Sequence, residues 1–427
     1  MFGEGMKKNL VLITKNFPYG YGETFIESEI EIAATKFDKI TILVYQADLK
    51  KEKRSVPKNV HVIPLKTKSR VQKLFYYLFF LMNPIKLAEI IREVKRYDTF
   101  FEKRKCCSFY LECILKEYQA KRFLTDIFTK ENDFIVYSYW LTDTAFLGYR
   151  LLRRFHLLGK KTFVSRAHGY DLYKERNQDV EFPYRAQIFG ALTKIYPCSK
   201  QGENYLKQEY AFWKDKYSTK YLGTIGSNKP KCTINNNADR SFLVVTCSNI
   251  IPLKRLHRLA EALFEMEKKY PNIAKNMQWC CFGDGESEYK LKEYCRANLK
   301  YVKIHFKGRK TNKEIVDFYK SENVDIFVNV SETEGLPVAI MEAMAYHIPV
   351  IATDVGGTSE IVKNQENGIL LEKNFENSQL IEALLEFINM PLLERKTFSE
   401  KAYNTWKSKF DCNINYNKFY DELKTIS

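Results

Sequence analysis

Short apolar runs that alternate with longer amphipathic stretches constrain the fold of this chain more than any other feature. Amphipathic stretches such as residues 256–270, LHRLAEALFEMEKKY, have the apolar spacing of helices. Nearly continuous apolar strands that alternate with helices are typical of parallel sheets buried on both faces. The pattern therefore predicts an α/β protein built from β-α-β units. The apolar runs are residues 9–14, 39–45, 59–65, 133–140, 161–169, 194–199, 241–249, 277–283, 302–308, 324–331 and 348–354.

A polar segment divides these runs into two groups. Residues 226–240, GSNKPKCTINNNADR, are rich in Asn and Lys and lack hydrophobic periodicity, which is typical of a linker. The 427 residues are enough for two domains with a core each. We therefore predict a first domain over residues 1–225 and a second over 241–405. Each should be a doubly wound parallel sheet, and the two should face each other across a cleft.

The charge of the chain limits its partners. The formal net charge is +16, and residues 51–130 contain 19 Lys or Arg against 8 Asp or Glu. Such a basic surface favours an anionic partner, which leaves phosphorylated small molecules, an anionic membrane surface and nucleic acid open. We expect no nucleic acid, because no zinc-finger spacing, RNP motif or basic heptad region accompanies the charge.

Cysteine usage and the N-terminal segment bear on location. The ten cysteines include no C-x-x-C spacing, which favours reduced thiols in the cytosol. The apolar run near the N-terminus is too short for a signal-peptide core. We expect a cytoplasmic protein, peripheral on the inner face of the cell membrane if its basic region contacts lipid.

The longest apolar run is LFYYLFFLM, residues 74–82. Nine residues cannot span a bilayer, which needs about 20 in a helix. Two interpretations remain open at this point: insertion into a membrane interface, or a buried helix of the first domain.

Residues 331–362 contain two glutamates, Glu334 and Glu342, with seven residues between them. Glu334 should lie at a strand-to-helix turn and Glu342 inside the helix, roughly 10 Å or more away. Because glycoside hydrolase pairs are about 5–9.5 Å apart, this is not such a pair. Carboxylates accept hydrogen bonds from hydroxyls, whereas the helix start near Gly335 and Leu336 suits a phosphate. Alternatively, Glu334 caps the helix and Glu342 is solvated.

The segment EGLPVAIMEAMAYHIPVIATDVGG, residues 334–357, resembles the signature of the retaining glycosyltransferases of family 4. The resemblance implies that Glu334 contacts the transferred sugar and Glu342 the ribose of the nucleotide. It also implies a GT-B fold of two Rossmann-like domains. In that fold the C-terminal helix, here within residues 406–427, returns to the first domain. No cofactor or metal is implied, and the nucleotide sugar, a UDP- or GDP-sugar, is a co-substrate.

Cations should follow the first strand of the second domain. Lys254 and Arg255 stand before an amphipathic helix, a suitable position for neutralising a diphosphate leaving group. The family usually has an arginine six residues before this lysine, where the chain has Ser248. Arg255 is a candidate replacement, although a Lys-Arg pair at a helix start is often merely solvated.

Three glycines that follow strands also resemble family turns. Gly308, in HFKGRK, matches the glycine that approaches the nucleotide base. Gly283 and Gly285 match a GDG turn. Each is also an ordinary strand-to-loop glycine.

In the first domain, RAHGYDLY resembles the HG-x-D element of the family, whose histidine reaches the donor sugar. The resemblance assigns a catalytic-site role to His168. Asp171 could orient its imidazole or cap the next helix, and we favour the cap. The loop with Gly20, Gly22 and Glu23 resembles the family loop beside the donor diphosphate and the acceptor.

Two aromatic residues of the first domain have two interpretations. Tyr139 and Trp140, with Asp143 close by, end another strand. They would either stack on an acceptor sugar or pack in the core.

The resemblance implies a retaining glycosyltransferase that moves a sugar from a nucleotide sugar to a hydroxyl of a glycan or lipid-linked acceptor, in cell-surface polysaccharide (capsule or lipopolysaccharide) biosynthesis. Catalysis is assigned to His168, Glu334 and Lys254. Three alternatives stay open: a sugar phosphorylase, a catalytically silent scaffold and a nucleic-acid-binding protein.

Overall fold

The computed structural model describes residues 8–20, 22–177, 180–227 and 240–426. The chain forms two compact units. The first extends to Lys220 and also includes the chain from Tyr416 onward, and the second comprises Tyr221–Asn415. Most of the predicted linker, residues 228–239, lies outside the described residues.

The first unit is built on a parallel six-stranded sheet in the order β3-β2-β1-β4-β5-β6. Its central strands, β1 and β4, are buried apart from the first residue of β1, because helices cover both faces. The strands are β1 (Asn9–Thr14), β2 (Ile40–Ala47), β3 (Val60–Lys66), β4 (Phe134–Ser138), β5 (Phe163–Ala167) and β6 (Lys194–Pro197). The helices are α1 (Ile26–Lys36), α2 (Arg70–Leu81), α3 (Pro84–Val94), α4 (Phe100–Leu124), α5 (Asp143–Arg154), α6 (Arg185–Ala191) and α7 (Lys200–Glu209).

The second unit repeats this architecture, with the sheet order β12-β11-β10-β7-β8-β9. Its strands are β7 (Phe242–Cys247), β8 (Met277–Phe282), β9 (Lys303–Gly308), β10 (Ile326–Asn329), β11 (Val350–Thr353) and β12 (Gly368–Leu371). Its helices are α8 (Leu256–Lys269), α9 (Pro271–Ala274), α10 (Glu288–Asn298), α11 (Asn312–Ser321), α12 (Val338–Met344), α13 (Thr358–Ile361), α14 (Asn377–Asn389) and α15 (Leu392–Lys409). Within each sheet the order is that of a Rossmann fold. The predicted fold class is confirmed.

The last helix, α16 (Cys412–Thr425), begins in the second unit, and its residues from Tyr416 onward belong to the first. There the Tyr420 hydroxyl donates a 3.0 Å hydrogen bond to the buried carboxylate of Glu29. Phe419 and Leu423 are fully buried beside it. The C-terminal helix therefore returns to the first unit, as the resemblance implied.

All eleven predicted strands are present, with ends shifted by up to two residues. One strand, β12, was not predicted.

The apolar run 74–82 forms most of α2, and the interpretation of a wholly buried helix is wrong. Phe80 is buried, whereas Leu74, Phe75, Leu78 and Phe79 are exposed. Among the described residues, no single helix is long and apolar enough to cross a membrane. Helices α2 and α3 are long and apolar enough only when they are taken together, and the angle between them is 99°.

Candidate functional site

The loops that follow β7 and β10 meet at the point where the second sheet changes direction. The chain proceeds from β7 through β8 to β9 on one side, and then crosses to β10 on the other side. Open parallel sheets bind ligands at the carboxyl ends of such neighbouring strands. Lys254 follows β7 and Glu334 follows β10, so the fold brings these two predicted site residues together.

Lys254 and Glu334 form an ion pair. The Lys254 ammonium Nζ donates to Oε1 of Glu334 at 2.5 Å, and the Asn329 amide donates to the same oxygen at 3.3 Å. Although burial alone would raise it, the pKa of the Glu334 carboxyl is held below its ordinary value by the Lys254 charge and these hydrogen bonds. Glu334 is therefore an ionised acceptor with a cation beside it.

Arg255 holds the loop after β10 in place through hydrogen bonds. Its backbone is left-handed (φ +47°), and its guanidinium Nε and Nη2 donate to the carbonyls of Val330 and Ser331 at 2.9 and 3.2 Å. Arg255 is the candidate replacement for the family arginine that is absent at Ser248. In that role it would contact the ligand while its guanidinium keeps these two hydrogen bonds.

Gly356 allows the loop after β11 to pack directly on Glu334. It has a φ of +58°, and a Cβ at this position would lie 1.8 Å from the Glu334 carbonyl oxygen. The next residue, Gly357, donates its N–H to the Gly335 carbonyl at 2.8 Å. The loop after β11 thus holds the backbone at Glu334 and Gly335 in place.

The backbone N–H groups of Gly335 and Leu336 lie between Glu334 and α12. Within the described parts of the chain, neither donates to a protein acceptor. They can therefore donate to an anion, and the predicted contact with a phosphate stays a prediction.

Glu342, inside α12, has a different environment from Glu334. Its Oε1 accepts a 2.5 Å hydrogen bond from the Asn312 amide at the start of α11. Burial raises the pKa of its carboxyl to about 7, because this one hydrogen bond offsets little of the desolvation. The interpretation of a freely solvated Glu342 is wrong.

Ser248 and the glycines bring the ends of β7, β8 and β9 together. A Cβ on Gly283 would lie 1.8 Å from the Ser248 carbonyl oxygen, and one on Gly285 would lie 2.4 Å from that of Ile250. Both glycines serve this close packing. Gly308 is also left-handed (φ +66°), but no atom lies within 4 Å of a Cβ there, so its surroundings leave room for a flat ligand.

In the first unit, the site candidates lie at the corresponding position, after β1, β4 and β5. His168 follows β5, and its ring packs among those of Phe25, Tyr139 and Trp140, with the nearest centroid, that of Trp140, at 4.5 Å. Its two ring nitrogens are buried, and among the described residues neither has a hydrogen-bond partner, although Nδ1 lies 3.7 Å from Oδ2 of Asp171. Nε2, which faces no such carboxylate, is free to hydrogen-bond a ligand.

Asp171 does not cap a helix, contrary to the sequence-based expectation. Its carboxylate accepts the backbone N–H groups of His168 at 2.6 Å and Leu141 at 2.7 Å. Although burial would raise it, the pKa of Asp171 is lowered, chiefly by the His168 side chain. Asp171 joins the ends of β4 and β5 and thereby positions His168.

Glu23 folds back over the end of β1. Its Oε2 accepts the backbone N–H groups of Asn16 and Phe17, both at 2.6 Å, and its Oε1 accepts that of Lys15 at 3.0 Å. The indole of Trp140 donates to the same carboxylate at 2.5 Å. These N–H groups therefore already bind an anion supplied by the chain itself.

The glycines of this loop have separate surroundings. Gly20 is left-handed (φ +68°) and donates its N–H to the Glu52 carbonyl at 2.9 Å. A Cβ on Gly22 would meet only Asn16, at 3.5 Å. Their role in a site stays a prediction.

The two aromatic residues after β4 have different roles. Tyr139 is fully buried and donates to Glu29 at 3.0 Å, so it belongs to the core. Trp140 is half-buried.

Lys15 lies directly after β1. Its ammonium donates to the Tyr170 hydroxyl at 2.9 Å and lies 3.6 Å from the Asp143 carboxylate.

Several contributors to both sites were missed from the sequence: Lys15, Asn312, Asn329 and Gly356. The side-chain amides of Asn312 and Asn329 are unremarkable in sequence, and only their contacts with Glu342 and Glu334 give them a role.

Among the described residues, no group of three or more His, Cys, Asp or Glu side chains could hold a metal ion.

Known proteins resemble this chain in sequence and in fold. An uncharacterized glycosyltransferase of Methanocaldococcus jannaschii is 33% identical over 177 residues, 40% of this chain and 46% of that protein. The O-antigen biosynthesis glycosyltransferase WbnH of Escherichia coli is 29% identical over 149 residues, 35% of this chain and 39% of that protein. The chain thus spans about half the length, or less, of the curated relatives it matches.

The crystal structure of Anabaena HepE in complex with UDP and glucose superimposes with a TM-score of 0.64 at 15% identity, over 98% of this chain and 99% of that one. This likeness concerns the fold. The family model described as Glycosyl transferases group 1 matches residues 231–405, which include Lys254, Glu334 and Glu342. Residues 231–405 of this chain are therefore similar to the glycosyl transferases group 1 family.

Proposed function

We propose that this protein is a retaining glycosyltransferase of the family 4 type. It transfers a sugar from a nucleotide diphosphate sugar to a hydroxyl of a glycan or lipid-linked acceptor. The observation that carries the proposal is the Lys254–Glu334 ion pair at the switch point of the second sheet, with Glu342 in the following helix.

The ion pair suits a ligand that is anionic at one end and rich in hydroxyls at the other. Glu334 alone would repel a diphosphate, since two unit charges about 4 Å apart interact by roughly 4 kcal/mol at the dielectric near a protein surface. Lys254 neutralises Glu334, and the N–H groups of Gly335 and Leu336 add donors for phosphate oxygens. The Glu334 carboxylate then accepts hydrogen bonds from the sugar.

Glu342 suits the ribose. Two neighbouring ribose hydroxyls donate to one carboxylate most strongly when it is ionised, and the pKa of about 7 makes ionisation respond to a bound ligand. Gly308 leaves room for the base.

In the reaction, the bond between the anomeric carbon and the diphosphate oxygen breaks, and a bond to the acceptor oxygen forms on the same face. The family resemblance implies that the departing phosphate takes the acceptor proton, so no side chain is assigned as general base. Lys254 stabilises the charge that develops on the leaving diphosphate.

For the first unit we propose acceptor recognition, with His168 contacting the transferred sugar. The buried Nε2 of His168, which has no hydrogen-bond partner among the described residues, supports this role. WbnH, a relative in sequence, acts in O-antigen biosynthesis by its name, which supports a cell-surface polysaccharide as the product. The bound UDP of HepE supports a UDP-sugar as the first donor to test.

The test is release of nucleoside diphosphate from a panel of UDP-, GDP- and ADP-sugars by the full chain. We expect one donor to be turned over without inorganic phosphate, and Glu334→Gln to lower the rate at least about 100-fold. Glu332→Gln, an exposed glutamate two residues away, is the matched control and should keep the rate. No turnover of any donor, or turnover that requires phosphate, would contradict the proposal.

A further inference from the structure

Helices α2 and α3 present a continuous apolar surface to solvent. Phe75 is 73% exposed, Phe79 61% and Met82 83%. Exposed apolar patches of this kind mark interaction sites. We call this surface the α2–α3 face and define it by Val71, Leu74, Phe75, Leu78, Phe79, Met82 and Ile85.

The opposite sides of both helices are fixed to the first unit. Phe80 and Ile90 are buried in its core, the Tyr77 hydroxyl donates to Glu112 at 2.9 Å, and Glu93 accepts the backbone N–H of Tyr184 at 2.8 Å. Ser69 and Asn83 cap the two helices. The apolar face therefore points outward from well-anchored helices.

A basic, aromatic groove adjoins this face. It has a volume of about 520 Å³ and is lined by Lys66, Lys68, Lys121 and Arg122, with Tyr76 of α2 in its wall. No carboxylate lines it, and within the described ranges none pairs with these four cations. The Lys121 ammonium lies 4.4 Å from the ring centroid of Tyr118. The groove thus offers unneutralised positive charge at the rim of an apolar surface.

The charge of the surrounding segment is also one-sided. Residues 66–105 contain eleven Lys or Arg and four Asp or Glu, a net charge of +7. A second copy of this chain would bring the same positive charge to the contact, which disfavours self-association. An anionic bilayer offers both apolar acyl chains and negative phosphates.

We propose that the α2–α3 face inserts into the interface of an anionic lipid bilayer, while the cations of the groove contact lipid phosphates. The two helices are 12 and 11 residues long, roughly 18 and 16 Å, and their anchored sides keep them on the protein. They lie in the interface and do not cross it. The proposal does not depend on the proposed enzymatic activity.

The test is co-sedimentation of the full chain with vesicles of phosphatidylcholine alone or with 30% phosphatidylglycerol, at two salt concentrations. We expect binding to the anionic vesicles that weakens with salt. The double variant Phe75→Ser, Phe79→Ser should weaken binding at least about tenfold. Lys121→Glu with Arg122→Glu should abolish the preference for anionic lipid.

Phe212→Ser is the matched control, because Phe212 is 87% exposed in the same unit but outside the face, and it should bind as the unchanged chain does. All these side chains are exposed or partly exposed, so the thermal unfolding temperature should stay the same. The proposal is overturned if the unchanged chain does not bind anionic vesicles, or if the phenylalanine variant binds as well as the control. It is also overturned if sedimentation velocity shows a dimer that the phenylalanine variant dissociates.

Discussion

Two carboxylates eight positions apart have opposite electrostatic surroundings. Lys254 holds the pKa of Glu334 down, whereas burial raises that of Glu342 to about 7. Glu334 is therefore ionised at neutral pH, while Glu342 is near its midpoint. This difference supports separate contacts with one ligand and argues against an acid–base couple.

Glu342 should make stability depend on pH. Its pKa in the folded protein, about 7, lies above the ordinary value of 4.5. The folded state therefore holds the proton more tightly than the unfolded chain, and the stability gained below pH 4.5 is lost as the pH rises to 7. We expect Glu342→Gln, which can still accept the Asn312 hydrogen bond, to be more stable than the unchanged chain at pH 8 by on the order of 1–3 kcal/mol.

The measurement is urea unfolding of both proteins at pH 5 and pH 8. The difference should be small at pH 5, where Glu342 is mostly protonated. A difference of equal size at both pH values would show that packing, not ionisation, is responsible.

At this scale, the sequence predicted which residues are present at the strand ends but not all of their partners. Glu334 and Lys254 were predicted for one site because each follows a strand of the second sheet and matches a position of the family pattern. The return of Glu23 onto the N–H groups of Lys15–Phe17 and the bond from Asn312 to Glu342 depend on loop paths that no local pattern specifies.

At the scale of elements, the loop after β11 supports the loop after β10 through Gly356. Gly356→Ala should destabilise the protein by about 2–4 kcal/mol, because a left-handed alanine is strained and its Cβ would overlap the Glu334 carbonyl oxygen.

Gly308→Ala is the matched control, since its φ of +66° is similar but no atom lies near its Cβ position. This substitution should lower the free energy of unfolding by only about 1 kcal/mol, because alanine is strained in a left-handed backbone. Thermal unfolding of the two variants separates the effects, and equal losses would mean that the contact with Glu334 has no energetic importance.

Strands were predictable where an apolar run is long. β12 was missed because its four residues, GILL, follow Gln365–Asn367 and are too few to distinguish from a loop. For α2, periodicity and composition could not decide between core and surface. The orientation of its apolar face depends on which neighbouring helices are present to cover it.

At the scale of the whole molecule, the two units have the same strand order, and the first is completed by the end of the chain. Tyr420→Phe removes one hydrogen bond to the buried Glu29. We expect a loss of about 1 kcal/mol in the stability of the first unit. Tyr118→Phe, which changes an exposed tyrosine of α4, should be neutral in the same urea titration; equal effects would contradict the proposed contribution of Tyr420.

The central claim is that the second unit holds a nucleotide diphosphate through Lys254. Calorimetric titration of the full chain with UDP and with GDP tests it most directly, with Lys254→Ala beside Lys373→Ala, an exposed lysine of the same unit. We predict that one nucleotide binds and that Lys254→Ala weakens it at least about tenfold, because the diphosphate then meets the uncompensated Glu334. Adding Glu334→Gln should recover part of the loss, while Lys373→Ala should change nothing. Equal affinity of the Lys254→Ala variant and the unchanged chain would contradict the account.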